Sequence, residues 1–229
     1  MGGGYDRPMT TSLKIDFISD VSCPWCAVGL GALEQALERV KTQGIKAELH
    51  FQPFELNPQM PPQGQDLAEH LTEKSGSTPE QQAPNWQALR ERAAAVGFHF
   101  RPEGRGRIWN TFDAHRLLHW AGLESAAAQH ALKKALLRAY FSEGKSPSDE
   151  AVLLDAVCQA GLDEDGAREI LASDAFAAQV RERQQFYAQH GIRAVPSVIL
   201  NDRHLIQGGQ PPEVFEQVLR QVAAMPAGA

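Results

Sequence analysis

The chain has 229 residues, and its 28 Asp and Glu outnumber its 22 Lys and Arg, which gives a net charge of −6. This excess of negative charge argues against non-specific electrostatic binding to nucleic acid or to an anionic membrane surface. No stretch approaches the ~20 consecutive apolar residues of a membrane-spanning helix, and three cysteines are too few for a disulfide framework.

Residues 1–12, MGGGYDRPMTTS, are polar and rich in glycine and are predicted to form a flexible tail. They lack the cationic region and the following apolar run of a secretory signal. A cytoplasmic protein is therefore the expectation.

The first elements alternate between strand and helix patterns. Residues 13–18 alternate apolar and polar side chains as a strand does, and residues 45–54 form a second extended run. Between them lies an amphipathic helix whose apolar residues recur at helical spacing on one face: Leu30, Leu33, Leu37 and Val40. The opening of the chain therefore predicts a βαβ unit.

The middle of the chain is a succession of amphipathic helix patterns. One of them starts at STPEQQ, where Thr78 and Gln81 have the spacing of a capping box and Pro79 suits a first turn. Pro84 is expected to kink this helix or to delay its start. No internal repeat is evident, so a solenoid is not expected.

The end of the chain returns to strands. Residues 195–200 and 204–209 flank a three-residue turn, which predicts a hairpin, and a last helix follows from residue 211. The two ends are each too small to fold alone, so we expect one sheet built from both. The predicted fold is α/β, with residues 13–63 and 192–229 in one discontinuous domain and residues 64–191 in an inserted α-helical domain.

Two cysteines stand two residues apart in DVSCPWCAVG, and three interpretations compete: half a zinc site, a redox pair, or two core thiols. A zinc site needs four ligands, usually in two short-spaced pairs. Cys158 has no partner beside it and is expected to pack in the core. His115 and His119 lie one helical turn apart without a third ligand, so no metal site is predicted.

The redox interpretation has a physical mechanism. Cys23 comes where the first strand gives way to the helix, so its sulfur faces unpaired N–H groups and the positive end of the helix dipole, which lower a thiol pKa. Pro24 suits the first turn, Trp25 adds an apolar surface, and Cys26 lies one turn further on the same face. Cys23 is thus the predicted nucleophile and Cys26 the cysteine that resolves its mixed disulfide.

A proline at the entrance of a strand supports this site from the far end of the chain. Pro196 follows Val195 in GIRAVPSVIL, where a trans proline is an unusual choice in a buried strand. A cis Val195–Pro196 bond would explain it.

These motifs, together with PFELNP and NTFDAHRLLHWAG, resemble the DsbA-like thioredoxin superfamily over about residues 13–223. Within it the chain is most similar to FrnE-type oxidoreductases, which neighbour the 2-hydroxychromene-2-carboxylate isomerases and the kappa-class glutathione transferases. The resemblance implies a thioredoxin fold with an inserted helical domain, and a cis proline at Pro196 beside the cysteine pair. It also implies a groove between sheet and helices, with these candidate lining residues: Phe54, Asn57, Trp109 and His115.

The resemblance leaves two further functions open. The isomerases and kappa transferases typically have serine where this chain has Cys23 and use glutathione, so the two cysteines favour dithiol–disulfide chemistry here. A glutathione-dependent isomerase or transferase for a small aromatic or polyketide-like substrate is the alternative. A non-catalytic binding module with a structural disulfide is the other. The expected partner is a thiol- or disulfide-containing protein or small molecule. No tightly bound cofactor is expected, and glutathione is a candidate ligand. A homodimer would fit the family, although no stretch of the sequence indicates an interface.

Two weaker sequence patterns concern candidate ligand-binding residues. Arg101, Arg105 and Arg107 lie in a glycine-bearing loop that could receive a carboxylate, although a solvated basic loop is the simpler expectation. Four aromatic residues could form an apolar floor for a small ligand, although all except Trp25 are more typical of core packing: Trp25, Phe54, Trp109 and Trp120.

Overall fold

A computed structural model describes residues 11–76 and 78–226 of the chain. Its strands are β1 (Thr11–Ser19), β2 (Ile45–Pro53), β3 (Gln65–Asp66), β4 (Arg107–Ile108), β5 (Ser197–Leu200) and β6 (His204–Gln207). Its helices are α1 (Pro24–Lys41), α2 (Leu67–Ser75), α3 (Pro79–Ala95), α4 (Phe112–Glu124), α5 (Ala126–Phe141), α6 (Glu150–Gln159), α7 (Glu164–Leu171), α8 (Ala177–Gln189) and α9 (Pro212–Ala223).

The main sheet joins the two ends of the chain. Among the described residues it has four strands in the order β2-β1-β5-β6, with β2 parallel to β1 and with β5 and β6 antiparallel to their neighbours. In this register Phe17 of β1 lies opposite Phe51 of β2 and Val198 of β5. The predicted α/β fold is confirmed, with a helical block between its βαβ and ββα halves.

Helices cover the sheet because their apolar faces need burial. On one face α1 and α9 pack together, with Leu33, Phe215 and Leu219 fully buried in the core that also holds β1. The helical block has its own core, to which Leu117, Leu132 and other residues of α4 to α7 contribute. Helices α4 and α5 also pack against β2, so the block lies along that edge of the sheet.

Several boundaries differ from the sequence-based prediction. Strand β1 begins at Thr11, inside the predicted tail, and the rest of that tail lies outside the described residues. Helix α3 begins at Pro79 and includes Pro84, so this proline does not delay its start. Strands β3 and β4 were not predicted and pair inside the helical block. The domain boundaries at residues 63 and 191 stay a prediction.

No helix in the described part of the chain is both long and apolar enough to cross a membrane.

Candidate active site

The cysteine pair lies where β1 passes into α1. Cys23 is the N-cap residue of α1 with an extended backbone, and Pro24 occupies the first helical position. The Cys23 N–H donates to the Asp20 carbonyl at 3.3 Å, and the Cys26 N–H donates to the Cys23 carbonyl at 3.1 Å. The Cys23 thiol is thus held at the positive end of the helix, as the sequence predicts.

The two thiols are free and buried, with Cys23 4% exposed and Cys26 fully enclosed. The hydrogen bond from the Cys26 thiol lowers the pKa of Cys23, and the Cys26 backbone N–H and the Arg105 charge act in the same direction. Burial and the Asp20 charge oppose them. Burial raises the pKa of Cys26 well above its usual value, and the neighbouring Cys23 raises it further. The surroundings therefore favour the thiolate at Cys23 and the protonated thiol at Cys26.

A proline loop closes over the pair. The Val195–Pro196 peptide bond is cis and directly precedes β5. The Cys23 thiol donates to the Val195 carbonyl at 3.6 Å. A Cβ on Gly29 of α1 would lie 3.0 Å from Pro196 Cγ, so a side chain at this position would crowd the proline.

Asp20 ties this loop to the rest of the molecule. Its buried carboxylate accepts hydrogen bonds from the Ser22 hydroxyl at 2.9 Å, the Ser22 N–H at 3.1 Å and the Leu56 N–H at 2.7 Å. His115 Nε2 of α4 lies 3.5 Å from Asp20 Oδ1. Burial would raise the pKa of Asp20, but His115 and the backbone donors outweigh it and lower the pKa to about 2.

Arg105 reaches the same loop from the helical block. Its guanidinium donates to the Ser22 carbonyl at 2.6 Å, so the expectation of a solvated basic loop is wrong for this residue. Its half-buried charge helps to lower the pKa of Cys23 after the Cys26 hydrogen bonds. Arg101 instead pairs with Glu103, and Arg107 donates to the Gln63 carbonyl.

A cavity of about 870 Å³ opens beside the first turn of α1. Pro24 and Trp25 form one wall, and residues of α2, α3 and the Arg105 loop form the others. Trp25 is 38% exposed, and the Arg92 guanidinium lies 5.4 Å from its ring centroid. Trp86 also lines this space, which is large enough for a small organic ligand or a short peptide segment.

The four predicted groove residues lie elsewhere, and none lines this cavity. Phe54 packs against a small cluster around Ile18. Asn57 accepts a hydrogen bond from Lys74 at 2.9 Å, Trp109 packs against the sheet core, and His115 is buried beside Asp20.

The four aromatic residues do not form a common floor. Phe54, Trp109 and Trp120 pack against three different clusters, as expected for core side chains, and Trp25 alone borders the cavity beside Cys23.

Cys158 does not pack in the core, contrary to the sequence-based prediction. It is exposed on α6, and its thiol donates to a Glu164 carboxylate oxygen at 3.3 Å. It shares an outer helix face with Ala151 and Asp155, because these positions are spaced by four and three residues.

In the described part of the chain, no cluster of three or more His, Cys, Asp and Glu residues is arranged to hold a metal ion. His115 and His119 both border a small cavity at the edge of β2, together with the buried amine of Lys133. Lys133 was not singled out from the sequence, because the pattern HALKKALL does not show which lysine faces inward.

The comparison with known families decides the assignment. The model of the DSBA-like thioredoxin domain matches residues 14–220. The chain belongs to this family. A probable DsbA oxidoreductase from Streptomyces coelicolor is 32% identical, with a TM-score of 0.85 over 95% of this chain and 92% of its own.

Two more distant structures share the fold. A 2-hydroxychromene-2-carboxylate isomerase is 16% identical, with a TM-score of 0.64 over 91% of this chain and 95% of its own. The cytosolic disulfide reductase DsbM from Pseudomonas aeruginosa, in a structure with GSH, is 17% identical, with a TM-score of 0.62 over 93% of this chain and all of its own. The resemblance to the DsbA-like superfamily and its isomerase neighbours is thus confirmed, while these two likenesses show the fold alone.

Proposed function

We propose that this protein is a thiol–disulfide oxidoreductase in which Cys23 is the nucleophile and Cys26 the resolving cysteine. The observation that carries the proposal is the placement of Cys23 as the N-cap of α1, with a lowered pKa and with Cys26 hydrogen-bonded to it. A thiolate at this position reacts with disulfides, and a second thiol within reach converts the adduct into an internal disulfide.

The steps balance as two successive exchanges. The Cys23 thiolate attacks one sulfur of a substrate disulfide, forms a Cys23–substrate bond and releases the other sulfur as a thiolate. Cys26, once deprotonated, attacks Cys23 Sγ, which breaks the mixed disulfide and releases the second substrate thiolate. The protein gains the Cys23–Cys26 disulfide and the substrate is reduced. The same two steps in the reverse direction oxidise a substrate dithiol.

The cavity beside Trp25 is the proposed substrate site. Its two arginines, Arg92 and Arg105, outnumber the single acid, Glu103, among its charged lining residues. Arginine forks suit carboxylates, so glutathione is a suitable small thiol to test. The cytoplasmic location and the homodimer stay predictions.

The first experiment is an equilibrium titration of the reduced protein against glutathione redox buffers, followed by thiol trapping with an alkylating agent. We expect a reversible two-electron transition between roughly −120 and −270 mV, the range of thioredoxin-fold catalysts. The matched controls are Cys26→Ser, which is expected to stop at the glutathione mixed disulfide, and Cys158→Ser, which is expected to leave the transition unchanged.

The alternatives predict other outcomes. A glutathione-dependent isomerase would bind glutathione without forming the internal disulfide and would tolerate Cys26→Ser. A binding module with a structural disulfide would form the disulfide but show no turnover with any thiol substrate. Either result would overturn the proposed function.

A further inference from the structure

The cavity beside Trp25 is positively charged, although the chain as a whole is acidic. Its charged lining residues are Arg92, Glu103 and Arg105. Glu103 is already paired with Arg101, which lies outside the lining, at 3.3 Å. Two cations thus face this space in a chain with a net charge of −6. Such a local excess of positive charge does not follow from the composition and favours an anionic ligand.

Arg92 is a cation without a carboxylate partner. It is exposed on α3, its guanidinium lies over the Trp25 ring at 5.4 Å from the centroid, and no acidic residue of the described chain forms an ion pair with it. An arginine that lies over an aromatic ring keeps the N–H groups at its edge free, and these match the two oxygens of a carboxylate. Arg90 lies two positions earlier on the same helix and lines a different cavity. Arg92 is therefore placed to bind an anion beside Trp25, and Arg90 is not.

The walls of this cavity are joined to both sides of Cys23. Pro24 and Trp25 directly follow Cys23 in the chain and line the cavity. Arg105, on another wall, donates to the carbonyl of Ser22, the residue directly before Cys23, at 2.6 Å. Consecutive Cα atoms are about 3.8 Å apart, so a ligand that lies against Pro24 is about one residue away from the nucleophile. A disulfide with one half in the cavity would thus present its sulfur at the cysteine.

The rest of the lining is mainly apolar. Leu67 and Leu71 of α2 and Trp86 and Leu89 of α3 contribute to it. A cavity of this kind holds the apolar body of a ligand, while a few polar groups fix its orientation. The chemistry that fits is therefore an aliphatic or aromatic segment that carries a carboxylate.

We propose that the substrate is an acidic thiol or disulfide, and that Arg92 selects it by binding a carboxylate close to the reacting sulfur. The apolar walls hold the segment between the carboxylate and the sulfur. Arg105 adds positive charge on the side of Ser22. This assignment rests on the proposed oxidoreductase function and gives the class of substrate that the same site prefers.

The test compares two aromatic disulfides that differ in charge. Dithiobis(nitrobenzoate) carries a carboxylate on each ring, whereas dithiodipyridine is uncharged near neutral pH. In each reaction the Cys23 thiolate bonds to one half of the reagent and releases the other half as a coloured thiolate or thione. The background protein is the double variant Cys26→Ser, Cys158→Ser, in which Cys23 is the remaining one of the three cysteines. The measured quantity is the ratio of the two second-order rate constants, because the reactivity of the Cys23 thiolate enters both and cancels.

Arg92→Gln is expected to lower this ratio, the rate with the carboxylate reagent over the rate with the neutral one, about fivefold, the upper end of the effect of an exposed ion pair. Arg90→Gln removes the same charge from the same helix and is expected to leave the ratio unchanged. Added salt is expected to lower the ratio in the background protein, because it screens exposed charges, and to lower it less in Arg92→Gln.

The outcomes separate this proposal from the proposed function. A ratio in Arg92→Gln within about 1.5-fold of the background value would overturn the role of Arg92. An equal fall in Arg90→Gln would also overturn it, because the net charge of the molecule, and not the cavity, would then select the reagent. If the wild-type protein never forms the Cys23–Cys26 disulfide with oxidised glutathione, the proposed function fails instead, whatever the value of the ratio.

Discussion

Asp20 fixes the geometry of the cysteine loop through several hydrogen bonds. Its carboxylate is buried and holds the Ser22 hydroxyl and the Leu56 N–H, while His115 approaches it from α4. Each of these donors favours the ionised form. The loop before Cys23 is therefore fixed by a charge that exists only while Asp20 is deprotonated.

The lowered pKa of Asp20 predicts a pH dependence of stability. The pKa falls from 3.8 to about 2 on folding, so the stabilisation is complete above pH 4 and is lost as the pH falls toward 2. At ~1.4 kcal/mol for each pKa unit, Asp20 contributes about 2 kcal/mol to the free energy of unfolding near neutral pH. Urea unfolding of the wild type and of Asp20→Asn at several pH values between about 2 and 4 measures this contribution to the free energy of unfolding.

The difference in the free energy of unfolding between the wild type and Asp20→Asn should decrease as the pH is lowered. Asp155→Asn, a change at an exposed carboxylate of α6, serves as the control and should follow the wild type. A difference that stays constant down to pH 2 would contradict the role of the Asp20 charge.

Helix α5 is the element that joins the helical block to the sheet. The buried side chain of Gln129 accepts from the Phe51 N–H at 2.8 Å and donates to the carbonyls of Phe51 and Leu118, both at 3.0 Å. One amide thus satisfies backbone groups of β2 and α4 at the sheet edge where, among the described residues, no further strand pairs with β2. The Gln129 side chain thus makes the hydrogen bonds to Phe51 that a neighbouring strand would otherwise make.

Gln129→Leu is expected to lower the free energy of unfolding by about 2–3 kcal/mol. The substitution leaves the backbone N–H and carbonyl of Phe51 buried without the partners that Gln129 provides, and such groups each cost about 1–3 kcal/mol before the structure relaxes. Urea unfolding provides the measurement, with Gln87→Leu on the exposed face of α3 as the control. Equal midpoints for Gln129→Leu and Gln87→Leu would show that α5 is held by apolar packing alone.

The parts of the structure that the sequence predicts are local. The N-cap position of Cys23, the strand–helix order and the capping residues depend on neighbours within a few positions. Arg105 and Ser22 are 83 residues apart in the chain, so their hydrogen bond leaves no local pattern. The burial of Lys133 is likewise not predicted, because only tertiary packing distinguishes it from the exposed Lys134. The prediction for Cys158 is wrong because its apolar sequence neighbours suggest burial, although its own side chain lies on the exposed face of α6.

At the scale of the whole molecule, the cysteine pair lies at the junction of two cores. Cys23 and Cys26 belong to the core of the sheet, whereas Val21, two residues earlier, belongs to the core of the helical block. The loop that carries the nucleophile is therefore held from both sides. Its thiol chemistry is coupled to global stability, since unfolding exposes both sulfurs to water.

Because the two thiols shift in opposite directions, their joint contribution to the stability of the reduced protein should be largest near pH 9. The pKa of Cys23 is lowered from 9.0, so its thiolate adds stability as the pH rises through the folded-state pKa toward 9.0. The pKa of Cys26 is raised above 9.0, so stability falls again beyond this pH, where only the unfolded chain ionises that thiol. Each limb has a slope of at most about 1.4 kcal/mol per pH unit. Urea unfolding under reducing conditions isolates the contribution of Cys23 as the difference in the free energy of unfolding between Cys158→Ser and the double variant Cys23→Ser, Cys158→Ser. This difference should grow as the pH rises toward 9.0. A rise of the same size in the double variant would mean that another group is responsible and that the Cys23 thiolate is not stabilised by the fold.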